Sequence, residues 1–270
     1  MRKRIINVLI GIMLITGIGL LLYPGLSDFY NTFHQSYAIA DYNSSSSKID
    51  NPAKEAVINE AIQYNIDLDR SDDRWILDEE EENEYNSLLD VTGTGIMGYI
   101  EIPKIKVTLP IYHGTSDDVL QTSIGHIPGS SLPVGGLGSH CVLSGHRGLP
   151  SAKLFSDIDK LSEGDTFLIH VFNEKLTYEI DQIRVVLPDE VDDLKIDENR
   201  DLCTLVTCTP YGVNSHRLLV RGTRIESVEE IRINPDMLQI EPFRVFMVLM
   251  VPIAVIMLIV LLFTGRRKRP

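Results

Sequence analysis

The sequence predicts a mainly β domain, a closed barrel or sandwich of about eight short strands, preceded by a helical segment and flanked by two membrane-spanning helices. Three observations carry this. Runs of five to ten residues rich in β-branched and aromatic side chains recur between Ile96 and Ile225, separated by turn residues. Helix-forming composition is confined to the stretch before them. Uncharged apolar runs occupy residues 5–22 and 245–263, each beside a basic cluster.

Taken in order, residues 1–26 read as a basic tip and an anchor. Arg2, Lys3 and Arg4 precede the first apolar run. The run is longer than the core of a secretory signal, and no small-residue cleavage site follows it closely, so an uncleaved span is expected. Residues 27–91 read as a helical segment. Pro52 suits the first turn of a helix that continues through residues 53–62. Ser44-Ser45-Ser46-Ser47 reads as a flexible break. Residues 71–85 are acidic and hold Trp75, the single tryptophan, a ring large enough to seek a pocket.

Residues 92–232 contain the strands. They are expected at residues 97–102, 107–112, 140–144, 167–172, 176–180, 183–187, 202–207 and 217–225, with short helices at 115–123 and 151–161. Residues 233–270 read as a linker, a second span and a basic tail of Arg266, Arg267, Lys268 and Arg269. Basic flanks stay in the cytoplasm, so a two-pass topology with the domain outside is expected.

The net charge is −13, and seven of the 25 Lys and Arg lie in the two tips, so the remainder carries −20. So acidic a body argues against nucleic acid as a partner, because phosphate binding needs a basic face. Cys141, Cys203 and Cys208 are odd in number and lack CxxC or Cys/His ligand spacing, which argues against structural zinc and for at least one free thiol. Cys203 and Cys208 are an odd number apart and fall on opposite faces of one strand.

Three polar residues lie at predicted strand ends, where scaffold meets solvent. Cys208 ends the strand at 202–207, His146 follows the strand ending at Ser144, and Arg217 opens the last strand. A thiolate can attack a peptide carbonyl, an imidazole can protonate the leaving amine, and a guanidinium can stabilise charge on the carbonyl oxygen. Spacing alone does not select His146 over His126, His140 or His216. Cys141 and Cys203 read as small buried hydrophobes.

The motifs resemble a known family at these residues. Thr204-Leu205-Val206-Thr207-Cys208-Thr209-Pro210-Tyr211-Gly212, with Arg217 nine residues after the cysteine, resembles the sortase signature. Leu143-Ser144-Gly145-His146-Arg147-Gly148 resembles its histidine motif. The blocks at residues 98–105, 109–115 and 149–155, and the C-terminal span, resemble class C, the pilus-assembling branch. The resemblance implies an eight-stranded sortase barrel with no required cofactor or metal, and Cys208, His146 and Arg217 as catalytic residues. It also implies attack on the Thr–Gly bond of an LPxTG-like signal and transfer to a lysine of the next pilin. A housekeeping sortase, a hydrolytic cysteine protease and a silent membrane scaffold for pilins are the alternatives.

Class C members often carry a lid with an Asp-Pro-aromatic motif. Here Asp73-Arg74-Trp75 is the nearest match. Arg74 removes the fixed φ of proline, so a looser lid is expected, or one that uses Asp72 as its acid. Trp75 is expected over the Cys208 groove, with Asp73 near Arg217 or His146.

Overall fold

The computed structural model describes residues 2–68, 72–172 and 174–226. Asp28–Ser227 is one compact unit, and its centre is a closed barrel rather than a sandwich. The strands are β1 (Ile96–Ile102), β2 (Val107–His113), β3 (Ile124–His126), β4 (Ser139–Gly145), β5 (Thr166–Val171), β6 (Glu174–Val186), β7 (Asp201–Thr209) and β8 (His216–Ile225). They run around the barrel in the order β1-β2-β3-β4-β7-β8-β6-β5. All pairs are antiparallel except β2–β3 and β4–β7. Closure pairs every strand on both sides and removes the exposed edge.

Alternate residues point inward and fill the barrel. Ile100, Ile111, Leu143, Phe167, Leu205 and Val220 are all fully buried in one continuous core. Phe167 and Tyr178 stack at 5.4 Å between ring centres inside it. Gly222 leaves the room they need, since a Cβ there would lie 2.7 Å from the Phe167 ring.

Two strands depart from expectation. Residues 183–187 do not form a separate strand but continue β6, which passes an irregularity between Ile180 and Gln182 and pairs with β8 as far as Val186. The eighth strand is β3, only 3 residues long and too short to leave a periodic signal. It is fixed by pairing on both sides, Ile111 with Ile124 and His126 with Leu143. The helix expected at 151–161 is reduced to a 3-10 turn at Ile158–Lys160.

Before the barrel come α1 (Arg2–Lys48), α2 (Asn51–Asp67) and α3 (Glu79–Ser87), with α4 (Asp117–Thr122) between β2 and β3. The flexible break predicted at 44–47 is absent, and α1 runs through it. Tertiary contacts override the weak propensity of serine. Tyr42 Oη donates to the Met97 carbonyl at 3.0 Å and accepts from the Phe172 N–H at 2.8 Å, and Ser46 is buried one turn on. Further down, Gln35 donates to the Thr122 carbonyl at 2.6 Å and Asn31 to the Ser151 carbonyl at 2.7 Å.

Asp50 caps α2 by accepting from the Ala53 N–H, and Pro52 sits in the first turn as expected. The acidic run also has a structural reason. Asp78 and Glu81 form a capping box, and Glu79 to Glu82 place negative charge on the positive end of α3. Tyr85 then pins α3 to the barrel, donating to the His126 carbonyl and accepting from the Gly114 N–H.

Among the described residues, α1 is the one helix long and apolar enough to cross a membrane, with a mean hydropathy of 2.6 in its most apolar window. The second predicted span and the basic tail lie outside the described residues.

Candidate active site

The site lies where β4, β7 and β8 end. Cys203, Leu205, Leu218 and Val220 belong to the inner core, whereas Val206 and Leu219 belong to a separate cluster. Strict alternation therefore carries Cys208 and Arg217 to the outer face with Val206 and Leu219. The register agrees, because Val206 pairs with Leu219 and Cys208 with Arg217. Ser144 pairs with Val206 across the parallel β4–β7 ladder, so His146, two residues on, falls level with Cys208. The three predicted residues thus converge on one rim, each partly exposed.

The other histidines are accounted for elsewhere. His126 is fully buried, with the Ser131 carbonyl 2.8 Å from Nε2 and Tyr85 Oη 3.0 Å from Nδ1. His140 shares the outer face but is covered, bound through Nδ1 to the Lys195 carbonyl and through Nε2 to Thr204 Oγ1, each at 2.8 Å. Burial lowers its pKa to about 4. His216 follows the opposite alternation to Arg217. Cys141 and Cys203 pair in register on β4 and β7, both buried and both free thiols. Burial pushes the Cys203 thiol well above its ordinary range.

Arg217 is held in place by its own loop. Its guanidinium donates to the Asn214 carbonyl at 3.3 Å and to the His216 carbonyl at 3.2 Å. The histidine loop rests on the segment after it, where the Phe155 N–H donates to the His146 carbonyl at 3.2 Å and the Gly148 N–H to Ser156 Oγ at 3.0 Å. Gly148 has φ +77, and a Cβ there would meet the Tyr211 ring at 2.7 Å.

Residues 72–75 form a 3-10 turn whose Trp75 packs on the outer-face cluster of Val142, Val186, Leu194, Val206 and Leu219. Val206 and Leu219 are each one same-face step from Cys208 and Arg217. The turn sits directly on Gly129, where a Cβ would lie 2.1 Å from the Arg74 carbonyl oxygen. Arg74, expected to loosen this segment, instead ties it down. It is buried, donates to the Leu194 carbonyl at 2.8 Å and lies 4.4 Å over the Trp75 ring. The side chains of Asp72 and Asp73 lie outside the described residues.

Residues 100–225 match the sortase domain family. The structure resembles sortase C1 of Streptococcus agalactiae, at 53% identity and TM-score 0.69, covering 71% of this chain and 100% of that one. It also resembles sortase C of Streptococcus pneumoniae, at 41% identity and TM-score 0.64, covering 72% and 100%. Sortase D of Bacillus subtilis is 31% identical over 131 residues, which are 47% of this chain and 63% of that protein, so the chain spans less than two thirds of that relative. A barrel of this topology and these similarities along its length make the chain a member of the sortase family, grouped with the class C sortases.

Proposed function

We propose that the protein is a cysteine transpeptidase that cleaves an LPxTG-like sorting signal between Thr and Gly and joins the new acyl end to a lysine of another pilin. The observation that carries this is the meeting of Cys208, His146 and Arg217 on one partly exposed rim. The Cys208 sulfur attacks the threonine carbonyl while His146 gives a proton to the departing glycine amine, leaving a thioester. The lysine amine of the next subunit then attacks the thioester, His146 takes its proton, and Cys208 leaves as the thiolate that began the cycle. Arg217 neutralises the oxyanion in both steps or aligns the signal. Pilin as the substrate draws support from the Streptococcus pneumoniae sortase C, whose structure is described as informing pilin substrate specificity.

Trp75 and Asp73 belong to a lid over the groove, which must swing off Val206 and Leu219 before a signal can enter. The chain is anchored by residues 5–22 and 245–263, with both termini in the cytoplasm and the catalytic domain outside.

The test is an immunoblot of detergent-boiled cell-wall extracts, probed for the candidate pilin, from cells with wild-type protein or Cys208→Ala and no second sortase. A high-mass ladder that vanishes in the variant is expected. A ladder that survives would mean that the protein holds pilins without joining them.

A further inference from the structure

Strand pairing does not by itself fix His146 against Cys208. The β4–β7 ladder ends at Ser144 with Val206, and His146 lies beyond it. Two side-chain bonds continue the register past the strand end. Thr207 Oγ1 donates to the Gly145 carbonyl at 2.7 Å, between residues 62 apart. Arg147 donates to Thr209 Oγ1 at 3.4 Å, again between residues 62 apart. His146 and Cys208 have the same separation and fall between these two bonds.

Of the attachments on the histidine loop, those to Phe155 and Ser156 run back to the following segment, and Arg147 reaches β7. Its guanidinium is mostly buried and makes three contacts at once. One is the hydrogen bond to Thr209. The second is an ion pair with Asp159, which belongs to the 3-10 turn at Ile158–Lys160. The third is the face of the Tyr211 ring, 6.0 Å away. That ring in turn lies against Gly148. A planar fork serves a carboxylate and a hydroxyl from fixed directions while its face lies toward a ring, a geometry that an ammonium's point charge does not reproduce.

We infer that Arg147 is a positioning residue: with Asp159 orienting it, it clamps the His146 loop to the end of the Cys208 strand and holds imidazole and sulfur in reacting geometry. This rests on the roles proposed for Cys208 and His146.

The test compares wild type, Arg147→Ala, Arg147→Lys and Asp159→Asn in the full chain. Two readouts are used: steady-state turnover of an LPxTG-like fluorogenic peptide, normalised to titratable Cys208, and the pH dependence of Cys208 alkylation by iodoacetamide. Arg147→Ala is expected to lower kcat about 10- to 100-fold with KM within about threefold, as a small misplacement of reacting groups does. Its alkylation profile should move toward that of His146→Ala. Arg147→Lys should restore only part of kcat, because the fork is lost. Should Arg147→Ala fail to fold, Asp159→Asn carries the test, with a kcat loss of about three- to tenfold expected. An unchanged kcat per titratable thiol together with a wild-type alkylation profile would overturn the inference, reducing Arg147 to a fold contact. If neither wild type nor Gly129→Ala, which frees the turn at residues 72–75, turns over the peptide, the proposed function fails, and the alkylation profile still decides whether Arg147 sets the His146–Cys208 pair.

Discussion

Cys208 and Arg217 face each other across the β7–β8 ladder, one pair before its open end. A register pair on one face keeps its Cβ atoms about 5 Å apart, so in the proposed mechanism the guanidinium starts within reach of the carbonyl that the sulfur attacks. Arg217→Ala should lower kcat by about 100- to 1000-fold, the usual cost of losing an oxyanion donor. Peptide cleavage measured across substrate concentrations checks this. A rise in KM with kcat kept would assign Arg217 to aligning the signal instead.

The three thiols should separate cleanly by access. Cys208 is partly exposed, while Cys141 and Cys203 are buried in the barrel. Ellman's reagent should titrate one thiol per chain in the native protein and three after denaturation. The fast native reaction should vanish in Cys208→Ala. Two or more fast native thiols would contradict the packing of β4 against β7.

Trp75 is the single tryptophan, so its fluorescence reports on the proposed lid alone. Gly129→Ala places a Cβ 2.1 Å from the Arg74 carbonyl oxygen at a backbone φ of +81. This substitution should lift residues 72–75 off the barrel, shift Trp75 emission to the red and speed alkylation of Cys208. Hydrogen exchange over residues 71–85 should rise with it, while the barrel loses only about 1–2 kcal/mol. Unchanged emission and exchange would mean that the turn does not depend on Gly129.

Stability should fall on the acid side. Burial holds the folded His140 pKa at about 4, below its ordinary 6.5. Between those values the unfolded histidine binds a proton that the folded one refuses, so stability rises with pH across that window and is lost as pH drops through it. The full cost at low pH is roughly 3 kcal/mol from this group. Burial lowers the pKa of His113 and His170 as well, which adds in the same direction. Burial raises that of Asp201, which opposes them. Urea unfolding at pH 7 and pH 4.5 should show the loss, and His140→Gln should flatten part of the slope.

Much of the barrel was legible because runs of β-branched and aromatic residues bounded by turn residues mark its strands, as in residues 97–102 and 217–225. β3 was not, because three residues carry no period, and its place comes from the neighbours that pair with it. The serines at 44–47 misled because Tyr42 bonds to groups 55 and 130 residues away, which no local propensity contains. Cys208, His146 and Arg217 were visible as strand-end residues. Spacing did not separate His146 from the other histidines, and the motif around it did; the burial of His126 and His140, a second ground for setting them aside, is a property of the folded chain. Arg147 was present in the histidine motif, but its partners Thr209, Tyr211 and Asp159 are gathered only by the crossover from β4 to β7.

That crossover has a consequence for synthesis. β4 and β7 lie side by side in parallel although the whole β5–β6 hairpin intervenes between them. β8 must then insert between β7 and β6. Such nonlocal pairing is slow, because loop closure must precede any gain from contact. A chain leaving a ribosome from its N-terminus therefore brings Cys208 and Arg217 together only when nearly the last strand of the barrel has emerged. The site proposed at Cys208, His146 and Arg217 is therefore completed only with the last strand of the barrel.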